Sequence, residues 1–437
     1  MADLKQIARQ IFHQTLQAID IPAAMQRKLA RDGPRISIQG APLDLSQFGR
    51  IYAVSIGKAA AALARGLAEL LAPEFRPEGI VVAPDATQTL PAGFQLIVGG
   101  HPLPDAGSFA AARALLQLLD LADARTLVFF LVSGGGSSLM ELPLDPAIGL
   151  EDMRALYRLL VQCGAPIAEV NAVRKHMSAV KGGRLAAAAP SATKITLGVT
   201  DVPEGQESAL ASGPTLPDPT TVADACRVIR SYGLLPKLPG ALRACFERSE
   251  TIPETPKPGD PAFKRAAFQI LLGRDDLFHP AHRAAEAAGF VAACDNTTDD
   301  WPIERAAGYL LAQLAELKRA NPSRPVALIA DGELSSPVTG AGLGGRNSAF
   351  VLSCVEKIAG NRIAVLSGGT DGIDGSSPAA GAAADGETFA RAREAALDPA
   401  DYFRRCDSYS FFHKLGDAIQ TGPTGNNLRD LRILLAI

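Results

Sequence analysis

Several protein classes are excluded by what this chain lacks. Cysteine is sparse and unpatterned. The six present (Cys163, Cys226, Cys245, Cys294, Cys354 and Cys406) make no CxxC pair, and none stands at zinc-ligand spacing from a histidine. A disulfide-stapled scaffold and a zinc module are therefore set aside, and reduced, mostly buried thiols are expected. Aromatic residues make up only 5% of the chain, with a single tryptophan. The longest apolar run, Leu127 to Val132, is far too short to span a bilayer. No basic tract occurs and the net charge is -3, so there is no footprint for nucleic acid and no attraction to a membrane surface. Glycine and proline are plentiful but show no period, which excludes collagen-like and low-complexity readings. The opening MADLKQIARQIF is amphipathic, charged early and without an apolar h-region. It does not read as a signal peptide, and a cytoplasmic protein is expected.

The 437 residues fit about two or three domains. The hydrophobic fraction of 47% is mostly Ala, Leu, Val and Ile, which suits helices packed on buried strands. Helical spacing of Ile7, Ile11, Leu16 and Ile19 predicts a helix over 3–30. Short apolar runs then predict strands at 51–56, 79–83, 95–98, 126–132 and 194–200, with helices at 58–71, 106–123, 151–163 and 220–231. Residues 251–262, TIPETPKPGDPA, hold four prolines and read as a linker. Beyond it, strands are predicted at 266–272, 325–330 and 362–366, and helices at 279–288, 302–320, 346–359 and 387–397. The expected fold class is α/β with two domains, each a mostly parallel sheet flanked by helices. Their expected limits are 1–250 and 263–437, joined by 251–262.

In such folds ligands bind at the carboxyl ends of strands, and here those ends are glycine-rich. Lys58 opens a helix after Ser55-Ile56-Gly57. A cation there opposes the helix dipole unless an anion sits nearby, although a snorkelling surface lysine would look the same. Ser133-Gly134-Gly135-Gly136-Ser137-Ser138 follows the most apolar strand and suits a phosphate nest or a tight turn. Asn171, Arg174, Lys175, His176 and Lys181 form a dense polar stretch in an Ala-rich region; His176, like most lone histidines, reads first as a structural hydrogen-bonder, with a catalytic role as the alternative. Asp201, in Thr200-Asp201-Val202-Pro203-Glu204-Gly205, is placed to hold magnesium, to accept a hydroxyl proton, or to cap a turn.

Gly340-Ala341-Gly342-Leu343-Gly344-Gly345 formally matches GxGxxG, but it does not follow a strand directly. A loop presenting Arg346 at a helix start for phosphate fits better than a dinucleotide fingerprint. Thr370, Asp371 and Asp374 lie on another glycine loop, where two acids three residues apart suit hydrated magnesium or an Asx turn. Thr421 and Thr424 belong to a further donor-rich loop, Thr421-Gly422-Pro423-Thr424-Gly425-Asn426-Asn427. No Walker A motif and no GxSxG elbow are present. Glycine loops with a few cations and acids match phosphoryl transfer, which needs positioned charge more than covalent partners.

Taken together, IGKAA (56–60), HPLPDAGS (101–108), SGGGSSLMELP (133–143), NAVRKHMSAVKGGRLA (171–186), TDVPEG (200–205), ASGPTLPDPTT (211–221), GLGGRN (342–347), GGTDGIDG (368–375), AAGAAAD (379–385) and TGPTGNN (421–427) resemble, in order and over nearly the whole chain, the glycerate 2-kinase family. That family pairs a Rossmann-like glycerate-kinase N-terminal domain with a MOFRL-type C-terminal domain. The resemblance implies phosphorylation of D-glycerate at its 2-hydroxyl by ATP with Mg2+, giving 2-phosphoglycerate and ADP. It implies catalytic roles for Lys58, Arg346, Asp371 and Asp201, and metal binding by Asp201, Asp371 and Asp374. Substrate and nucleotide contacts are expected from Ser133 to Ser137, Asn171, Arg174, Lys175, His176, Lys181, Gly344, Gly345, Thr370, Thr421 and Thr424. The partners expected are small molecules, and a homodimer is compatible with the sequence. Three segments depart from the family pattern: Glu204 to Glu207, Asp331 to Ser336, and Ser376-Ser377-Pro378. The competing readings are an NAD(P)H-dependent hydroxypyruvate reductase, resting on GAGLGG, and a non-catalytic sugar-acid-binding protein.

Overall fold

A computed structural model of the protein describes residues 3–200, 202, 205–337, 340–426 and 428–437. The chain forms two compact units, one of residues 21–271 and one of residues 1–20 with 272–437.

In the first unit, a small antiparallel sheet of β1 (Arg31–Asp32), β2 (Arg35–Ile38) and β3 (Ala41–Asp44) precedes the main sheet. The main sheet contains β4 (Arg50–Ile56), β5 (Glu78–Ala83), β6 (Phe94–Val98), β7 (Thr126–Val132), β8 (Thr193–Val199) and β9 (Ala266–Leu272). Their order is β6-β5-β4-β7-β8-β9, and the pairings from β6 through β8 are parallel. Every residue of β7 is buried, as a central strand covered on both faces requires. Val128, Phe130 and Val132 pack on one face with Val54, Ile56 and Leu115, while Phe129 and Leu131 point to the other and are equally enclosed. Each such side chain contributes about 1.5–3 kcal/mol on burial.

A helical layer lies beside this sheet. The helix Leu150–Gln162 buries Met153, Leu156, Tyr157 and Leu160, a helical period, against the helices Ile167–Met177 and Val222–Ser231. The proline-rich stretch expected to link two domains is folded into this unit instead. Glu254 accepts from the Val222 N–H at 2.9 Å, Thr255 donates to Asp218 at 3.0 Å, and the Asp218 N–H donates to Pro256 O at 3.0 Å. Proline restricts the backbone without abolishing side-chain contacts, so composition alone suggested a linker where the structure has a strap.

In the second unit, the strands β10 (Val291–Asp295), β11 (Val326–Asp331), β12 (Ile363–Gly369), β13 (Gly381–Asp385), β14 (Ala418–Ile419) and β15 (Asp430–Ala436) form one sheet in the order β10-β11-β15-β12-β13-β14. Only β10 and β11 pair in parallel; the other pairings are antiparallel. The α/β class stands, but this sheet is mixed rather than mostly parallel. The reason is that β15, the last strand, inserts between β11 and β12 and runs against both.

The predicted helix over 3–30 is two helices, Leu4–Ala18 and Ile21–Leu29, broken ahead of Pro22. The first belongs to the second unit. It packs on β12, β13 and β15, with Lys5 paired to Asp417 at 2.8 Å and to Asp385 at 3.2 Å.

Candidate active site

The carboxyl ends of β4 and β7 carry two turns that lock together. Gly57 has φ +122°, and a Cβ there would run into Ser133, so only glycine serves. The Lys58 N–H donates to Gly134 O at 2.9 Å, and the Ala59 N–H donates to Ser133 Oγ at 3.0 Å. Ser133 is therefore a buried strut between the loops. Lys58 is exposed, and among the described residues it has no ion pair. A Cβ built on Gly135 would lie 3.3 Å from Lys58 Cγ and 3.3 Å from His101 Cδ2, so these two side chains flank the glycine loop. Burial, and then the Lys58 charge, hold the His101 pKa below its ordinary value and favour neutral imidazole.

Behind the loop runs a chain of hydrogen-bonded polar side chains. Ser137 and Ser212 share a hydrogen bond at 2.8 Å, and Ser212 donates to Asn171 Oδ1 at 2.9 Å. Deeper still, Lys181 is fully buried on Glu141 at 2.7 Å, and Glu141 also accepts from Ser178 at 2.6 Å and Tyr157 at 2.5 Å. Burial lowers the Lys181 pKa while Glu141 opposes the shift. The Tyr157 hydroxyl oxygen also lies 3.0 Å from Ser137 O, and Arg174 stacks 4.3 Å over the Tyr157 ring. Lys175 is buried with Asp218 at 3.2 Å, and His176 sits between Ala172 O at 2.8 Å and Glu254 at 3.3 Å.

In the second unit, Arg346 begins the helix Arg346–Cys354, and its guanidinium is held by Asp430 and Glu333. Burial works against its charge, but Asp430 and then Glu333 outweigh burial and raise its pKa. The N-terminus of this helix is filled by Asp374, which accepts from the Asn347 N–H at 2.9 Å, the Ser348 N–H at 2.8 Å and Ser348 Oγ at 2.5 Å. A Cβ on Gly345 would collide with Asp374. Gly344 lies against Ser376, whose hydroxyl is 3.3 Å from the Gly344 N–H. Asp371 accepts from the Ile373 N–H at 3.0 Å in an Asx turn near Asp430. Thr370 accepts from the Leu428 and Arg429 N–H groups at 3.0 and 3.2 Å, and Thr424 donates to Thr370 O at 2.5 Å. Thr421 is exposed and turned onto Gly422 O at 2.8 Å. Beneath these loops, Arg432 is fully buried on Asp331 O and Gly332 O, and burial lowers its pKa to about 10. Asp331 is buried beside Arg429, and its pKa is raised by burial.

Two family profiles match this chain, a domain of unknown function (DUF4147) over residues 7–247 and the MOFRL family over residues 326–430. A glycerate 2-kinase from Pyrococcus horikoshii is 33% identical over 99% of this chain and 97% of its own length. The chain belongs to the glycerate 2-kinase family. A crystal structure of a glycerate kinase from Thermotoga maritima superposes with TM-score 0.85 at 33% identity, covering 99% of each chain. A protein from Agrobacterium vitis described as a putative hydroxypyruvate reductase is 36% identical over 99% of this chain and 94% of its own.

Against the family expectations, Lys58, Ser133 to Ser137 and Asn171 gather at one sheet end of the first unit. Arg346, Asp371, Thr370 and Thr424 gather in the second. Lys175 and Lys181 lie in buried pairs, the buried His176 meets the exposed Glu254, and Arg174 braces Tyr157. Asp374 caps the helix start, where both of its oxygens accept hydrogen bonds. Asp201 lies outside the described residues. Among the described residues, no group of three or more His, Cys, Asp or Glu side chains is disposed to hold a metal ion. The sequence reading passed over His101, Glu333 and Asp430 as site residues. His101 opens the quoted HPLPDAGS segment, which was the available signal. Asp430 had none, because its strand was not foreseen.

Proposed function

We propose that this protein transfers the γ-phosphoryl group of ATP to the 2-hydroxyl of D-glycerate, giving 2-phosphoglycerate and ADP. The observation that carries this reading is the exposed Lys58 ammonium rooted against the Ser133–Gly136 turn, at the carboxyl ends of β4 and β7. Phosphoryl transfer needs positioned positive charge and backbone donors, and this turn has both. Lys58 and Arg346 are assigned to stabilising negative charge on the phosphoryl group and the substrate carboxylate. Asp371 orients the attacking hydroxyl, and Asp201 is the alternative. Ser133 and Ser137 hold the glycine loop in shape. Thr370 and Thr424 do the same for the loop of Asp371.

Magnesium, in this reading, arrives with the nucleotide. Mg2+ usually keeps several waters and takes one or two carboxylates beside the phosphates, so the lack of a dedicated cage among the described residues is compatible with it. Asp371 and Asp201 are the carboxylates offered; when bound, the ion neutralises phosphate charge. A cytoplasmic location is part of the same reading, and no described helix is long and apolar enough to cross a membrane.

The reductase reading loses its structural support at Gly345. In a dinucleotide fold, the helix after the glycine loop receives a pyrophosphate. Here the Asp374 carboxylate occupies that helix start. A coupled assay of ADP release with D-glycerate, ATP and Mg2+, run beside NADH oxidation with hydroxypyruvate, tests the proposal. Glycerate-dependent ADP release with 2-phosphoglycerate as product supports it. NADH oxidation without ADP release overturns it, and turnover in neither assay favours a binding protein.

A further inference from the structure

His101 is carried to the glycine turn by a loop that is pinned at both ends. Just after β6, the Gly99 N–H donates to Ala83 O at 3.1 Å, and a Cβ on Gly99 would strike Leu139 O. The Gly100 N–H donates to Asp105 at 2.9 Å and to Ser108 Oγ at 2.9 Å. Asp105 in turn caps the helix Ala106–Asp120, accepting from the Ser108 N–H at 2.9 Å. Between these anchors the imidazole is exposed, and neither ring nitrogen has a hydrogen-bond partner among the described residues. A Cβ on Gly135 would lie 3.4 Å from His101 Nε2, 3.3 Å from its Cδ2 and 3.3 Å from Lys58 Cγ. Glycine at 135, with φ +85°, leaves that point open. The lysine ammonium, two carbons beyond Cγ, and the imidazole edge therefore share one opening over the turn.

We propose that His101 is a ligand-binding residue whose Nε2–H donates to the oxyanion that Lys58 neutralises, so that the two side chains hold one anionic group of the substrates between them. This rests on reading Lys58 as a site cation. A lysine ammonium is a point charge on a flexible stem, which attracts an anion without fixing its direction. A ring N–H on a pinned loop supplies the direction, and a hydrogen bond to an ionised acceptor is among the stronger kinds. Burial and the Lys58 charge both favour neutral imidazole at this place. Neutral imidazole still carries one N–H, so it donates to an anion without adding a second charge beside Lys58. The chemistry recognised is an oxyanion, either a phosphoryl oxygen of ATP or the carboxylate of D-glycerate.

The test is the steady-state kinetics of glycerate-dependent ADP release by full-length variants, with thermal unfolding to establish that each is folded. Two results would remove the underlying reading, and the proposal with it: no such activity in the parent, or near-full kcat in Lys58→Ala. With both excluded, His101→Phe keeps the ring and deletes the N–H. It is expected to lower kcat/KM by about ten- to a hundredfold, the size of one hydrogen bond to a charged group. A raised KM for D-glycerate assigns the oxyanion to the carboxylate, whereas a lowered kcat or a raised KM for ATP assigns it to the phosphoryl group. A kcat/KM near that of the parent shows that the ring only fills space and overturns the proposal. His101→Gln, whose amide N–H reaches about as far as Nε2, is expected to recover most of the loss; a Gln variant no better than Phe overturns the donor role. If His101→Phe does not fold, His101→Ala takes its place with the same expectations. In the Lys58→Ala background the His101 substitution is expected to cost less than it does alone, because residues on one shared group do not add. Full additivity would overturn the shared anion.

Discussion

Lysines that look alike in the sequence do different work in the structure. Lys58 is exposed on the glycine turn, whereas Lys181 is buried on Glu141 and Lys175 on Asp218. The difference arises from partners 40 and 43 residues away in the chain, so no local pattern could have separated them. Lys58→Ala is expected to lower kcat by about 10²–10³, as removal of other transition-state donors does, and steady-state kinetics would read it. Lys181→Met removes one side of a buried pair and strands Glu141. Its expected effect is on stability, at about 3–5 kcal/mol, measured by chemical unfolding.

A third lysine makes a pH prediction. Lys194 is buried at the start of β8, donating to Ala189 O at 2.7 Å, and burial, with Arg265 nearby, lowers its pKa to about 8. Between that value and the ordinary 10.5 the unfolded chain holds the proton and the folded chain does not. Stability from this group therefore rises with pH across that window, by at most about 1.4 kcal/mol per pH unit. Lys194→Met is expected to flatten the rise in the urea midpoint between pH 8 and pH 10. An unchanged slope would show that another group carries it.

At the scale of elements, the helix Arg346–Cys354 shows how a site residue is aimed. Its start is capped by a residue from another loop, Asp374, so the pitch of the helix and the direction of Arg346 depend on the Gly368–Gly375 turn. Asp374→Ala is expected to cost about 0.5–2 kcal/mol in stability through loss of the cap. It should also reduce kcat, because Arg346 is the first residue of the uncapped helix. Full activity together with lowered stability would separate the cap from the chemistry.

The same scale explains which elements were legible. Fully apolar β7 and the amphipathic helix Leu150–Gln162 announce themselves by run and period. β13 does not. Its sequence, GAAAD, favours helix by propensity, but small residues are what fit where Gly381 lies against Ser367 O, and the tertiary contact overrides propensity.

For the whole molecule, the informative element is the first helix, Leu4–Ala18, which belongs to the unit that ends the chain. Phe12 is fully buried with its ring against Gly368, and Asn426 donates to Ile19 O at 2.5 Å. Phe12→Ala is expected to cost about 3–5 kcal/mol. Hydrogen exchange should quicken in β12 and β15 and leave residues 21–271 unchanged; equal quickening in both units would count against this division.

By itself, the sequence determined the α/β class, the order of most strands and helices, and the glycine-rich turns at strand ends. All of these are set by short-range period and by backbone freedom at glycine. Only the tertiary structure decided that β15 enters the middle of its sheet, that the opening helix joins the closing unit, and that 251–262 is a strap. It also decided which of the many polar side chains are spent on buried partners. Those outcomes rest on contacts between segments far apart in the chain, whose free energy comes from burial and charge pairing and leaves no periodic trace in either segment alone.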